Sequence, residues 1–196
     1  MKSMVKDAAI LLAITLISGL LLGVVYEVTK EPIAVQQAKR KNEACKEVFQ
    51  DAVRFETLEL SVPETGEKET ATINEVSKAV TENGAVLGYV LDITTHEGYN
   101  GDIQFTMGIR MDGTVNGISL LSIAETPGLG MKAEEVLKPQ FVDKNVSLFS
   151  YTKTGAVTSD QIDAISGATL TTNALVNGVN TGLSFFKTEL GGGKNE

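Results

Sequence analysis

Two short segments carry the residue types and spacing from which chemistry could be built. The first is Asp163-Ala164-Ile165-Ser166-Gly167-Ala168-Thr169-Leu170-Thr171, directly ahead of a long segment with helical apolar spacing. Where a helix begins, the first-turn amides lack partners and the dipole is positive, so hydroxyls and amides from Ser166 to Thr171 suit an oxyanion, a phosphate above all. The same hydroxyls serve equally well as helix caps, and local chemistry leaves both readings open. The second segment is Ile123-Ala124-Glu125-Thr126-Pro127-Gly128-Leu129-Gly130, between a strand and a helix. Pro127 and Gly128 suit the central positions of a type II turn, and Gly130 would let the backbone approach a ligand closely. Gly128, Gly130 and Ala133 also match a dinucleotide-binding turn. That reading is weak: Leu148 to Lys153 holds no acidic residue to meet a ribose, and the preceding strand belongs to a hairpin.

Composition closes several classes. One cysteine, Cys45, and one histidine, His96, cannot build a metal cage or an internal disulfide. Cys45 reads as a small buried apolar residue and His96 as a solvated loop residue without a partner. A net charge of -8 supplies no basic face for phosphate backbones, so nucleic acid is excluded as a partner. No acid-base or nucleophile constellation appears, so no complete active site sits on this chain alone.

The elements that must position the two segments follow from hydrophobic patterning. Ala8 to Tyr26 contains no charged residue, and nineteen residues at helical rise span about 28 Å, the thickness of a bilayer core. This predicts one transmembrane helix over residues 8–26 after a short tail, residues 1–7. A cleaved signal peptide would need a small-x-small site, which Tyr26-Glu27-Val28 is not. Gly19 and Gly23 have the spacing that favours close approach of a second helix. Lys2 and Lys6 precede the span, and Lys30, Lys39, Arg40 and Lys41 follow it, so basic residues do not decide orientation.

Pro32 is expected to end the membrane helix, with a helical stalk completing residues 27–55 from Ile33 to Phe55. Residues 56–83 read as weak strands and a loop containing Pro63 and Gly66. Leu87, Tyr89, Leu91 and Ile93 alternate, as do Ile103, Phe105, Met107, Ile109 and Met111, before an Asp112-Gly113 turn. The return strand, Val115 to Ile123, slips its alternation at Asn116-Gly117, as a bulge requires. A short helix is expected at Met131–Leu137 and a final amphipathic one at Thr171–Leu190, facing inward with Leu175, Val179, Leu183 and Phe186. The class is α+β: a single N-terminal transmembrane helix and one domain, residues 56–190, with an antiparallel sheet and flanking helices, then a glycine-rich tail, residues 191–196.

Asp163-x-x-Ser166-Gly167-Ala168-Thr169 resembles the flavinylation motif in which a flavin transferase joins FMN through its phosphate to the final threonine. With the Glu125-to-Gly130 loop, the Gly98-Tyr99-x-Gly101 turn and the N-terminal helix, the chain is similar over nearly its whole length to the family of FMN-binding G components of Rnf electron-transport complexes. The resemblance implies a covalent FMN, transferred from FAD to Thr169, in an extracytoplasmic domain with the N-terminus cytoplasmic. It implies contacts to the cofactor from Asp163, Ser166, Gly167, Ala168, Thr171, Glu125, Thr126, Gly128, Leu129 and Gly130, with Thr126 or backbone amides at the ring and Leu129 shielding one face. Partners would be the other membrane subunits of a ferredoxin:NAD oxidoreductase that moves sodium ions or protons, the flavin transferase, and membrane lipid. Ala124 and Met131 depart from the family, where polar residues are frequent. Three alternatives share the same residues. One is kinship with the C component of the sodium-translocating NADH:quinone reductase, and another an anchored flavoprotein reducing extracellular acceptors. The last is a non-catalytic assembly module whose Ser-Gly-Ala-Thr loop only caps a helix.

Overall fold

The computed structural model describes residues 2–59 and 70–191. The chain divides into two units, Met1–Arg40 and Lys41–Glu196. Helix α1, Lys2–Val48, belongs to both. In the first unit its side chains from Ile10 to Val28 are exposed on every face, and the helix is long and apolar enough to cross a membrane. Three expected boundaries shift here. The helix begins at Lys2, because residues 2–7 contain nothing that breaks it, and it runs through Pro32. A proline removes one backbone donor, and the good helix formers Ala34, Gln36, Gln37 and Ala38 on its far side carry the spiral onward. The helix then stops at Val48 rather than near Phe55, and Arg54–Thr57 is already a strand.

In the second unit, β1 (Arg54–Thr57), β2 (Ala71–Val80), β3 (Val86–Thr95), β4 (Ile103–Arg110) and β5 (Val115–Ser122) form an antiparallel meander in that order. The expected loop with Pro63 and Gly66 lies outside the described residues, as do the tail residues 192–196. The bulge falls where the alternation slips: Gly108 pairs with Gly117 and Ile109 with Val115, leaving Asn116 extra. After β5 come a 3-10 turn (Gly130–Lys132), α2 (Ala133–Val136) and a second 3-10 turn (Lys138–Phe141). A parallel pair, β6 (Ser150–Thr152) and β7 (Gln161–Asp163), leads to α3 (Thr169–Glu189).

Strand alternation assigns the two faces of the sheet. Leu91, Ile93, Phe105, Met107 and Ile109 meet Leu175, Val179, Leu183 and Phe186 of α3 in the main core. Gly178 and Gly182 set the approach of α3: a Cβ on Gly178 would lie 2.9 Å from the Phe105 ring, and one on Gly182 would lie 2.7 Å from Met107 Sδ. On the opposite face, Cys45, Val48 and Phe49 from the end of α1 pack with Ala52, Ala79 and Val90. Cys45 is buried as expected, and desolvation pushes its thiol up to about 11, leaving it inert.

Polar groups clamp that end of α1 to the sheet. Lys41 Nζ reaches Glu75 at 2.7 Å and Asp92 at 3.3 Å, and Asp92 also accepts from Asn74 and Gln104. Glu47 accepts from Ser119 and Lys138. Burial works against the charge on Lys41, yet the hydrogen bond to Glu75 and the charges of Asp92 and Glu75 outweigh it and raise its pKa. Burial likewise opposes the ionised forms of Glu75 and Glu47, and their lysine and hydroxyl partners outweigh it and lower both pKa values. Lowered carboxylates contribute stability above their unfolded pKa, about 4.3, and lose it as pH falls through the folded value. A raised lysine contributes below about 10.4 and loses its share as pH rises through its folded value. Protection of the amides over residues 44–48, measured as the exchange rate relative to that of free amides at the same pH, is therefore expected to be high at neutral pH and to fall as pH drops below the carboxylate range. Lys41→Met should lower that protection at neutral pH; unchanged protection in that variant would rule out the clamp.

Candidate functional site

The two segments singled out by their chemistry meet. Gly167, at φ +79°, turns the chain ahead of α3, and a Cβ there would lie 3.1 Å from Leu129 Cδ2 of the other loop. Between them opens a cleft of about 490 Å³ lined by Tyr99, Glu125, Thr126, Leu129, Gly130, Gly167, Ala168, Thr169 and Leu170.

The Glu125 loop is built as its sequence suggests at the turn. Gly128 has φ +78°, and the Leu129 amide donates to Thr126 O at 3.1 Å, closing the turn over Pro127-Gly128. Glu125 then folds inward and is 4% exposed. Its Oε2 accepts from the Thr171 hydroxyl at 2.9 Å, and its Oε1 from the Asn100 amide at 3.2 Å. Asn100 Nδ2 donates to Ala124 O at 2.7 Å, adding a second tie to the same turn. Gly130 lines the cleft and is also required by packing, since a Cβ on it would lie 2.6 Å from both Glu125 Cβ and Thr171 Oγ1. The dinucleotide reading also falls, since the loop leaves an antiparallel strand and opens a 3-10 turn.

At the start of α3 the capping reading fails on geometry. The N-cap residue is Ala168, with no side-chain cap. Thr172 spends its hydroxyl locally, donating to Ala168 O and accepting from the Ile165 amide. Thr171 is 1% exposed and committed to Glu125. Thr169 is half-buried on the cleft wall, and its hydroxyl meets no hydrogen-bond partner among the described residues. The amides of Thr169, Leu170 and Thr171 likewise meet no acceptor there. Three open donors at a helix start stand with an uncommitted hydroxyl, a set of groups that favours an oxyanion.

The other sequence candidates sit apart from the cleft wall. Asp163 holds neighbouring chain, accepting from the Ala156 amide at 2.5 Å, while its own backbone is gripped by Gln140 Oε1 and Nε2. Ser166 is exposed and Gly128 lies on the turn, neither of them on the wall. His96 is exposed as expected but has partners, lying between Asp102 Oδ1 and Thr72 Oγ1, each at 3.0 Å. It pins the turn that carries Tyr99, which is 68% exposed at the cleft. Sequence reasoning passed over Leu170, Asn100 and Gln140. Leu170 left a signal, being apolar yet out of phase with the inward positions of α3, and it stands 56% exposed at the cleft. Asn100 and Gln140 left none, because each acts on backbone distant in sequence.

Gly130→Ala should destabilise the flavin-free protein by about 1–3 kcal/mol, the cost of forcing a methyl into a filled space. Denaturant unfolding of protein made without a flavin transferase measures this. A glycine kept only for a ligand would leave that curve where it is.

Comparison with known proteins accords with the geometry. Residues 98–184 match the FMN-binding domain family, and residues 1–48 match the RnfG N-terminal region. The chain is 32% identical to the G component of the ion-translocating oxidoreductase complex of Methanosarcina acetivorans, over 97% of this chain and 98% of that one. It is also 32% identical to the G component of the Na(+)-translocating ferredoxin:NAD(+) oxidoreductase complex of Acetobacterium woodii, over 95% and 93%. The crystal structure of Shewanella oneidensis NqrC shares the fold, at a TM-score of 0.50 and 18% identity over 71% of this chain and 70% of that one. The chain therefore belongs to the RnfG family, the G components of ion-translocating oxidoreductase complexes, built around an FMN-binding domain.

Proposed function

We propose that this chain is the electron-carrying subunit of a membrane-bound ion-translocating ferredoxin:NAD oxidoreductase, and that it carries FMN as a phosphoester on Thr169. The observation that carries this reading is the uncommitted Thr169 hydroxyl beside three open amides, with the neighbouring hydroxyls of Thr171 and Thr172 already spent. Attachment transfers FMN from FAD: the Thr169 Oγ1–phosphorus bond forms, the pyrophosphate bond breaks, AMP leaves, and the hydroxyl proton passes to solvent or to a base of the flavin transferase. The resulting diester keeps one negative charge, which the start of α3 stabilises. Bound FMN supplies one-electron and two-electron redox chemistry that no side chain here offers.

The chain's own residues hold and shield. Tyr99, Leu129 and Leu170 offer apolar surface to the ring, and Thr126 and the loop backbone offer hydrogen bonds. A covalent tether keeps the cofactor from diffusing away on the extracytoplasmic side, where we place residues 56–190. Residues 8–26 cross the bilayer among lipid with the N-terminus cytoplasmic, and residues 27–55 connect the span to the domain. Ferredoxin and NAD meet other subunits of the complex in this reading.

Intact mass after denaturation tests the reading. Protein made with a flavin transferase is expected to gain one FMN less one water on the peptide containing Thr169, and protein made without the transferase to gain nothing. Thr169→Ala should abolish the gain while leaving the unfolding transition in place. Stoichiometric covalent FMN in that variant would move the attachment elsewhere.

A further inference from the structure

Binding FMN leaves one buried ionisable group in the cleft wall without an assigned part. Glu125 is 4% exposed, yet it lines the cleft. Both of its oxygens accept hydrogen bonds, from the Asn100 amide and the Thr171 hydroxyl, and both donors are neutral. Among the described residues no lysine, arginine or histidine pairs with it. When ionised, a carboxylate so placed is a negative charge with no cationic partner in the wall of the cleft. A glutamine would serve the packing equally. Its carbonyl could accept from Asn100, its amide could donate to a reoriented Thr171 hydroxyl, and its Cβ would meet Gly130 in the same way.

We propose that the Glu125 carboxylate sets the reduction potential of the flavin held in this cleft, lowering it so that the reduced subunit is a stronger electron donor. This rests on the reading of the cleft as the FMN site. One electron passed from a one-electron carrier to oxidised flavin without a proton adds one negative charge to the cleft. The same electron accompanied by a proton from water adds none. A fixed anion nearby opposes only the first event, and it does so strongly where protein replaces water, because charge interactions scale inversely with dielectric and distance. The start of α3 acts with the opposite sign, but its amides face the phosphate end of the cofactor, whose own charge consumes that effect.

The test is a spectroelectrochemical titration at pH 8 of full-length, FMN-loaded protein in detergent, with intact mass recorded on the same samples. Glu125→Gln is expected to raise the flavin potential by at least a tenfold change in the oxidised-to-reduced ratio at fixed potential, equal to about 59 mV for a one-electron couple. Thr171→Val keeps the charge and removes one of its two donors, so it should lower the potential. Loosening of the loops alone would move both variants in the same direction, and that result overturns the proposal. So do equal potentials in loaded wild type and loaded Glu125→Gln, and so does loss of covalent FMN from both variants, which would leave Glu125 a packing residue. If Glu125→Gln alone fails to load, Thr171→Val decides: a lowered potential supports the proposal and an unchanged or raised one overturns it. Absence of FMN from the Thr169 peptide of the wild-type protein would overturn the functional reading itself, an outcome the mass record separates from the others.

Discussion

The hydrogen bond between the Thr171 hydroxyl and the buried Glu125 carboxylate is the contact on which the cleft depends. It joins residues 46 positions apart in sequence, one from a loop after the meander and one from the first turn of the last helix. A buried carboxylate must be met by donors or it costs several kcal/mol, on the order of the desolvation penalty for an ion. That penalty makes the contact selective: the loop can occupy its position only when α3 brings Thr171 and the Tyr99 turn brings the Asn100 amide. Three separate segments are thereby held in one arrangement, and the cleft is the space left between them.

The contact has a second effect through what it withholds. Thr169, Thr171 and Thr172 stand within one helical turn and offer the same hydroxyl chemistry. Glu125 takes the second and the Ala168 carbonyl takes the third, so only the first remains unspent beside open amides. Selectivity among equivalent groups therefore follows from satisfying buried polar atoms. No buried side-chain polar atom among the described residues lacks a partner, which is consistent with such strict allocation.

Much of the frame was legible because it is local. Alternation at Leu91-Ile93 and Phe105-Met107-Ile109, the Asp112-Gly113 turn, the slip at Asn116-Gly117 and the period of Leu175, Val179, Leu183 and Phe186 each follow from the geometry of a single element. The type II turn at Pro127-Gly128 was legible for the same reason. What escaped notice was decided by distant partners. Gly130 reads as ligand clearance until Glu125 and Thr171 are seen to fill the space beside it. His96 is exposed, as its sequence suggests, but its partners Asp102 and Thr72 are invisible to local reading. Pro32 reads as a stop because the rule for helix interiors weighs one lost hydrogen bond, while the surrounding helix formers outweigh it here. The helix-cap alternative fails for a local reason, since the N-cap position of α3 is Ala168, which has no hydroxyl to offer.

Helix α3 links the core to the chemistry. Its inward face, with Gly178 and Gly182 against Phe105 and Met107, fixes its distance from the sheet. Its first turn presents the amides and Thr169 to the cleft. A single helix thus places the Thr169 hydroxyl relative to a packed core, and the Glu125 tie places the opposite wall relative to that same element. For a subunit that passes electrons, this has a direct consequence. Transfer depends on cofactor distance and on the local field, and under the proposed attachment both would rest on groups tied to a packed core. The outer parts of the cleft are different in kind: the Tyr99 and Leu170 side chains are exposed, so the face that a redox partner would meet is the least constrained part of the site. Burial is concentrated at the Glu125 and Thr171 side of the cleft, and exposure at its Tyr99 and Leu170 rim.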